Sequence, residues 1–257
     1  MRFLDLLSKK GQTAVNDPAR WVWLAAGLFL LLGLLVQFWR LWSLSATYDQ
    51  GIFNQVLWNS GHGRWFASSL SSQLSSAVLH GGLAPDPSYQ RLGQHYTPLL
   101  LLWAPLVRWL GLAALPVVQV GLMTSAGLAL HRLAQALLPA GVAAALACSF
   151  FGAQAVIGPT WCNFHDLCQL PLLVFLLLLG LIERRWWLLL LAACLIPLVR
   201  EDTGVVLFGI ALWMGVQRKA PWWVSLLIGL WGAAWCVVVT SVLMPAVSAD
   251  VSKRFMV

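Results

Sequence analysis

Charged residues are scarce in this sequence. Asp, Glu, Lys and Arg make up only 10% of its 257 residues, whereas 60% are hydrophobic. A soluble domain carries about 25% charged residues, so this chain cannot cover a water-facing surface, and its composition predicts an integral membrane protein. The net charge of +7 does not indicate a nucleic-acid partner, because the positive residues lie in short clusters between apolar runs, where such clusters set membrane orientation.

Several catalytic motifs are also absent. The sequence has no G-x-x-x-x-G-K-[ST], no H-E-x-x-H and no G-x-S-x-G. Readings as an ATPase, a zinc metalloprotease or a lipase therefore lose their strongest support. Polar residues at the edges of spans can also line a transport pathway, but no clear internal repeat of the kind that transporters often carry is present.

The apolar runs predict an all-α fold, a polytopic transmembrane helix bundle of about seven spans. Basic clusters assigned to the cytoplasm place the N-terminus inside. If every basic cluster is cytoplasmic and the spans alternate in direction, the Pro-interrupted run 97–112 must start and end outside, as a re-entrant or juxtamembrane helical hairpin. The predicted parts are a cytoplasmic N-terminal segment (1–20), the first transmembrane helix (21–44), an outer loop with amphipathic and juxtamembrane helices (45–115), a transmembrane helix bundle (116–244) and an outer C-terminal tail (245–257).

The same predicted topology places several ionisable residues on the outer side of the membrane. Ionisable residues at a membrane edge are candidate functional residues. Acidic residues are not needed to set the orientation of the protein in the membrane. The candidates on this side are Asp49, His95, His165, Asp166, Arg200 and Glu201.

Asp49 has two interpretations. It precedes a stretch, Gly51 to Asn59, whose apolar residues fall at helical spacing and predict a short amphipathic helix lying on the bilayer. Asp is a favoured N-cap residue for such a helix. The functional alternative is a general base at the mouth of a membrane cavity.

His95 and Arg200 are candidate phosphate ligands. His95 stands just before an apolar helix, where backbone N–H groups favour anions, although an interfacial histidine satisfied by water is an equal reading. Arg200 has the planar guanidinium that suits oxyanions, and Glu201 could orient either Arg200 or a nearby histidine. The simpler reading of this stretch is that Asp202 or Thr203 caps the next helix.

The loop from Cys162 to Cys168 has a C-x2-H-x2-C spacing. A structural zinc site needs four ligands, so a metal is disfavoured, and a disulfide on the outer face is an alternative. A pair formed by His165 and Asp166, facing the cavity, is preferred. No cofactor is expected, and a divalent metal has no support in the sequence.

Four stretches resemble a family of predicted multi-spanning membrane proteins of unknown function that is placed near the GT-C glycosyltransferases. They are Tyr48 to Trp58, His95 to Pro105, Asn163-Phe164-His165 and Arg200 to Gly204, and the resemblance covers about Trp21 to the C-terminus.

The resemblance implies an extracytoplasmic, inverting transfer of a sugar from a polyprenyl-phosphate donor. Asp49 matches the acid of the first outer loop, with the donor phosphate near Arg200 or His95. GT-C enzymes often have a second acid in that loop, and Gln50 stands where it would follow.

The resemblance also implies a setting, the bacterial inner membrane with its lipid. It further implies that this chain is an N-terminal portion, whose missing half a partner chain supplies. The alternative function is a non-catalytic membrane scaffold, a transporter component or an inactive, truncated family member.

Overall fold

The computed structural model describes residues 17–247, and within that range the chain is helical with no strand. One isolated bridge pairs Ala67 with Gln90. Short 3₁₀ turns connect many of the helices. The helices are α1 (Pro18–Trp42), α2 (Tyr48–Ser60), α3 (Ser69–Ser72), α4 (Ser76–Leu79), α5 (Ala104–Leu110), α6 (Ala114–Gln135), α7 (Ala140–Gly152), α8 (Gln154–Cys162), α9 (Leu170–Ile182), α10 (Trp186–Leu195), α11 (Thr203–Val216), α12 (Trp222–Val238) and α13 (Met244–Val247).

Helix α1 shows why the apolar runs form helices here. Asp17 caps its first turn by accepting a hydrogen bond from the amide of Ala19 at 3.0 Å. Pro18 occupies the first helical position, where its missing N–H costs nothing. Arg40 lies in the last turn, where a cation opposes the negative end of the helix dipole.

Three helical runs are long and apolar enough to cross a membrane: Pro18–Trp42, Pro98–Gln135 and Trp222–Val247. A fourth is reached if α7 and α8, bent by 41° at their junction, form one broken span. The remaining apolar helices, Asp166–Ile182, Trp186–Leu198 and Thr203–Val216, are shorter, at 10–17 residues. An integral membrane protein with three to four candidate spans is therefore established, and the count of seven remains a prediction.

Helix α2 differs from its sequence prediction. It begins at Tyr48, Thr47 occupies the N-cap position, and Asp49 falls in the first turn. Asp49 is therefore not the cap. The predicted apolar face is buried, but Asn54 and Asn59 on the opposite side are buried as well. The helix is thus packed against protein on more than its apolar face, and its position relative to the bilayer remains a prediction.

The serine-rich segment 68–79 is helical, with a short break between its two helices. It forms α3 and α4, whose caps, Ser68 and Ser75, accept hydrogen bonds from Ser71 and Val78. Gln55 of α2 accepts from the hydroxyl of Ser68 at 2.7 Å. Small hydroxyl side chains fold this segment by satisfying nearby backbone groups, a local effect that composition does not reveal.

The segment 97–112 packs against α2. A 3₁₀ turn, Pro98–Trp103, leads into α5, and Gly111 breaks the run with a φ of +57° before α6 starts. Gly111 and Val107 line a cavity together with Trp58 and Gly51 of α2. The segment covers α2, and its placement as a re-entrant or juxtamembrane hairpin remains a prediction.

The basic clusters lie at one end of the bundle. Arg132, at the end of α6, donates to Glu183 at 2.9 Å, and Arg185 pairs with the same carboxylate at 2.8 Å. The start of α1 lies at this end too, because Asp17 is within electrostatic range of His131. The predicted outer residues lie at the opposite end. The N-terminal segment 1–16 and the tail residues 248–257 lie outside the described residues.

Candidate functional site

His95 and Glu201 form the centre of the polar cluster, although they are far apart in sequence. Nδ1 of His95 lies 2.8 Å from Oε1 of Glu201, and the amide of Tyr96 donates to Oε2 at 2.8 Å. Glu201 stands in the tight turn between the α10 and α11 helices, and His95 follows the 3₁₀ turn Arg91–Gly93. The Glu201 side chain is 12% exposed and that of His95 is 32% exposed. The pair therefore joins residues 45–115, called the outer segment after their predicted side of the membrane, to the helix bundle.

Arg200 joins the cluster through its neighbours. Its Nε and Nη2 donate to the two carboxylate oxygens of Asp202 at 2.8 and 2.6 Å. Its Nη1 lies 3.9 Å from Oδ1 of the buried Asp166. This forked contact is the geometry that a guanidinium uses for a phosphate, and here the exposed Asp202 carboxylate occupies it.

The carboxylates of the cluster differ in acidity. Burial opposes ionisation of Glu201, but the hydrogen bonds from His95 and the Tyr96 amide outweigh it and lower its pKa. The hydrogen bond from Arg200 lowers the pKa of Asp202. Burial raises the pKa of Asp166 against the opposing pull of Arg200. The cluster therefore holds two acidic carboxylates and one whose charge is disfavoured.

Glu201→Gln is expected to lower stability at pH 7 by about 1.5 kcal/mol, the lower end of the range for a hydrogen bond to a charged group, because it removes the charge that His95 and the Tyr96 amide contact. The lowered pKa of Glu201 means that its charge stabilises the fold above its ordinary value of 4.5. That contribution disappears as the pH falls through the folded-state pKa. Thermal unfolding in detergent at pH 7 and pH 4 should show the wild-type advantage shrinking at the lower pH. An equal difference at both pH values would contradict an ionised Glu201 that stabilises the fold.

Asp49 lies apart from this cluster. Its carboxylate is exposed and accepts a hydrogen bond from Nδ2 of Asn163 at 3.4 Å. The side-chain oxygen of Asn163 accepts from the hydroxyl of Thr47. Asn163 thus holds the first turn of α2 against the loop that carries His165 and Asp166.

Two buried glutamines fix that loop and the end of helix α8 that leads into it, and sequence reasoning missed both. Nε2 of Gln119, in α6, donates to the carbonyl oxygen of Asn163 at 2.5 Å, and its Oε1 accepts from the amide of His165 at 2.7 Å. Nε2 of Gln37, in α1, donates to the carbonyl of Thr160 at 2.6 Å. A lone amide in an apolar run is costly unless it is hydrogen-bonded, and this is the signal that could have found them.

His165 and Asp166 do not face one cavity. The His165 side chain is exposed and lines a cavity of about 360 Å³ beside Gln119, Thr160 and Cys168, whereas Asp166 is not among the lining residues. Cys162 and Cys168 are free thiols, so they form no disulfide. Within residues 17–247, no group of three or more His, Cys, Asp or Glu side chains is arranged to hold a metal.

Arg91 is the functional candidate that the structure adds. It is 5% exposed, and its guanidinium lies 4.8 Å from the centre of the Phe53 ring. Its Nη1 donates to the hydroxyl of Ser71 at 3.3 Å. The sequence places Arg91 on the outer side, but its burial against α2 depends on long-range packing that no local pattern predicts.

The structure therefore unites most, but not all, of the predicted residues. His95, Asp166, Arg200 and Glu201 form the cluster, with Arg91 within electrostatic range of Asp166. Across residues 17–247, no side-chain hydrogen bond or ion pair joins Asp49 or His165 to it. Phe53 and Phe164, with ring centres 5.2 Å apart, pack between the Asp49 helix and the Asp166 loop.

The chain matches a known protein family. The model of the family described as Predicted membrane protein (DUF2079) matches residues 40–257. No curated protein and no solved structure matches the chain. The match covers more than half of the sequence and includes every candidate residue above, so the chain belongs to this family of predicted membrane proteins.

Proposed function

We propose that the chain is a membrane-embedded, GT-C-like glycosyltransferase module that transfers a sugar from a polyprenyl-phosphate donor on the extracytoplasmic side. The observation that carries the proposal is the exposed Asp49 carboxylate. It is held by Asn163 at the end of the bundle where the cluster of His95, Arg200 and Glu201 also lies. A carboxylate that solvent reaches, supported by a buried scaffold, is what a general base requires.

The proposed chemistry is a direct displacement at the anomeric carbon. Asp49 takes the proton of the acceptor hydroxyl while that oxygen bonds to the sugar. The bond between the anomeric carbon and the phosphate oxygen breaks, and polyprenyl phosphate leaves with the electron pair. The attack comes from the face opposite the leaving group, so the configuration inverts. The sequence offers no second acid beside Asp49, where Gln50 stands.

Arg200 is the proposed ligand of the donor phosphate. Its partner Asp202 has a side chain that is 54% exposed, so a phosphate can exchange with this carboxylate without opening the core. The buried Asp166 would remain beneath the guanidinium. His95, oriented by Glu201, is the second proposed phosphate contact, and exposed His165 is a proposed contact to the substrate.

Two further parts of the proposal concern the membrane. The gathering of basic clusters at one end supports an N-terminus in the cytoplasm, in a bacterial inner membrane. It also supports about seven crossings, because the short helices α9 to α11 then run between the two polar ends, although each is below the usual length of about 20 residues. Membrane lipid carries the donor, and a partner chain contributes further parts of the site.

The proposal is tested in proteoliposomes that contain the purified protein and radiolabelled polyprenyl-phosphate sugars, each supplied separately. Release of polyprenyl phosphate, together with a new glycoside of inverted configuration, is expected with one donor. No turnover with any donor, in protein whose unfolding transition is intact, would contradict an activity of this chain alone. Adding membranes that supply candidate partner chains then decides whether a partner is required.

A non-catalytic scaffold is the second candidate, and one observation favours it. Nε and Nη2 of Arg200 already donate to the two carboxylate oxygens of Asp202. The charged groups of the cluster therefore pair with one another, and the cluster joins the outer segment to the bundle. Asp202→Asn separates the two candidates, because it weakens only this internal contact. A catalytic Arg200 would then bind the donor more tightly and lower KM, whereas a scaffold would only lose stability.

A further inference from the structure

The turns that follow helices α9 and α11, at the end of the bundle opposite Asp49, share an unusual backbone conformation. Arg184 lies two residues after the end of helix α9 and has φ +55°, and the amide of Arg185 donates to the carbonyl of Gly180 at 2.8 Å. Arg218 lies two residues after the end of helix α11 and has φ +50°, and the amide of Lys219 donates to the carbonyl of Met214 at 2.9 Å. Both turns therefore place arginine where a helix usually ends with glycine.

The cations of these turns are not equally engaged. Glu183 pairs with Arg132 at 2.9 Å and with Arg185 at 2.8 Å. The side chains of Arg184, Arg218 and Lys219 make no ion pair or hydrogen bond with another residue in the part of the chain that the structure describes. The only carboxylate in these turns, that of Glu183, is already neutralised, so this end has a surplus of exposed positive charge.

An apolar cavity lies between the helices that follow the two turns. It has a volume of about 410 Å³ and is lined by Trp186 and Leu190 of α10 and by Trp223 and Leu227 of α12, with Pro221 at its edge. Arg185 directly precedes Trp186, and Lys219 lies two residues before Pro221. The cavity thus begins where the basic turns end, and its size is in the range of ligand sites.

We infer that this cavity and the two basic turns form a binding site for an acidic diacyl phospholipid of the surrounding bilayer. One acyl chain occupies the cavity between α10 and α12. The phosphate lies against the exposed cations Arg184, Arg218 and Lys219, and the tryptophans take the headgroup depth that indole rings prefer. Basic pockets between transmembrane helices recognise anionic headgroups in this way. The inference is independent of the glycosyltransferase proposal, because the site lies at the other end of the bundle.

The experiment uses the full chain in nanodiscs of equimolar dioleoyl phosphatidylglycerol and dioleoyl phosphatidylcholine. After extraction into detergent, the lipids that remain bound are quantified by mass spectrometry. The wild type should retain phosphatidylglycerol in preference. The double variant Arg218→Gln with Lys219→Gln should lower the ratio of the two lipids by at least about tenfold, since each cation at an anionic surface contributes about fivefold.

Two further variants make the test specific. Arg108→Gln removes an exposed arginine from α5, at the other end of the protein, and should leave the ratio unchanged. Leu190→Trp fills the cavity from a position that is 52% exposed, and should reduce bound phosphatidylglycerol although every cation remains. Equal retention of both lipids by the wild type would overturn the site. So would a loss in Arg108→Gln as large as in the double variant, or full retention by Leu190→Trp.

Discussion

Asp49→Asn should lower sugar transfer by about 10²- to 10⁴-fold, the contribution of a positioned general base. Asparagine has nearly the same shape as aspartate and retains a side-chain oxygen that can accept from Asn163. It cannot take the proton of the acceptor hydroxyl at neutral pH. In the proteoliposome assay, kcat should fall while KM for the polyprenyl-phosphate donor changes little, because the phosphate is assigned to Arg200 and not to Asp49.

The fold should tolerate this substitution. Asp49 is exposed, does not cap α2, and makes one long hydrogen bond of 3.4 Å. A surface change of this kind usually alters stability by no more than about 0.5 kcal/mol. A loss of activity with an unchanged melting temperature would therefore report chemistry and not unfolding.

Asp86→Asn is the matched control for Asp49. Asp86 is also an exposed carboxylate of the outer segment, but it only closes a turn by accepting from the amide and hydroxyl of Ser88 at 2.8 and 2.6 Å. Its variant should keep full transfer activity. If Asp49→Asn turned over as fast as the control, Asp49 would not be the general base, and the non-catalytic scaffold would be favoured.

The sequence predicts the parts of this molecule that depend on local physics. Long apolar runs without charge can only be satisfied as helices in a bilayer, so the all-helical membrane fold was predictable and is confirmed. Family membership was predictable from motifs such as Tyr48 to Trp58, and the match to residues 40–257 confirms it. The relation to GT-C enzymes stays a prediction, since no solved structure matches.

Long-range packing decides the parts that the sequence did not predict. The contact of His95 with Glu201 spans 106 residues, and Glu201 could be assigned only as a partner for Arg200 or for some histidine. Gln119 and Gln37 look like isolated polar residues in apolar helices until the end of α8 and the loop at Asn163 are folded onto them. Arg91 gave no local signal, because its burial depends on the ring of Phe53 from another element.

Gly204→Leu should prevent α11 from packing against α12 and lower stability by at least about 3 kcal/mol, the upper part of the range for overpacked positions. A Cβ at Gly204 would lie 2.3 Å from the carbonyl oxygen of Gly232 and 2.7 Å from the sulfur of Cys236. A backbone oxygen inside a helix cannot rotate away, so the helices must separate. Small residues permit such close approach between membrane helices. Loss of the monodisperse peak in detergent, or a melting temperature lower by roughly 6–12 °C, is the expected measurement.

Gly209→Leu supplies the comparison on the same helix. A Cβ at Gly209 meets nothing within 4 Å, and the residue is exposed on the outer surface of α11. The identical chemical change should therefore be neutral, or slightly stabilising, because leucine favours a helix over glycine by less than about 1 kcal/mol. The difference between the two variants isolates the helix contact from any general intolerance of leucine. If both variants unfolded equally, the close approach of α11 and α12 would not be the cause. A wild-type melting temperature for Gly204→Leu would show that the two helices do not pack through Gly204 and Gly232, and the turn that positions Arg200 and Glu201 would then need another support.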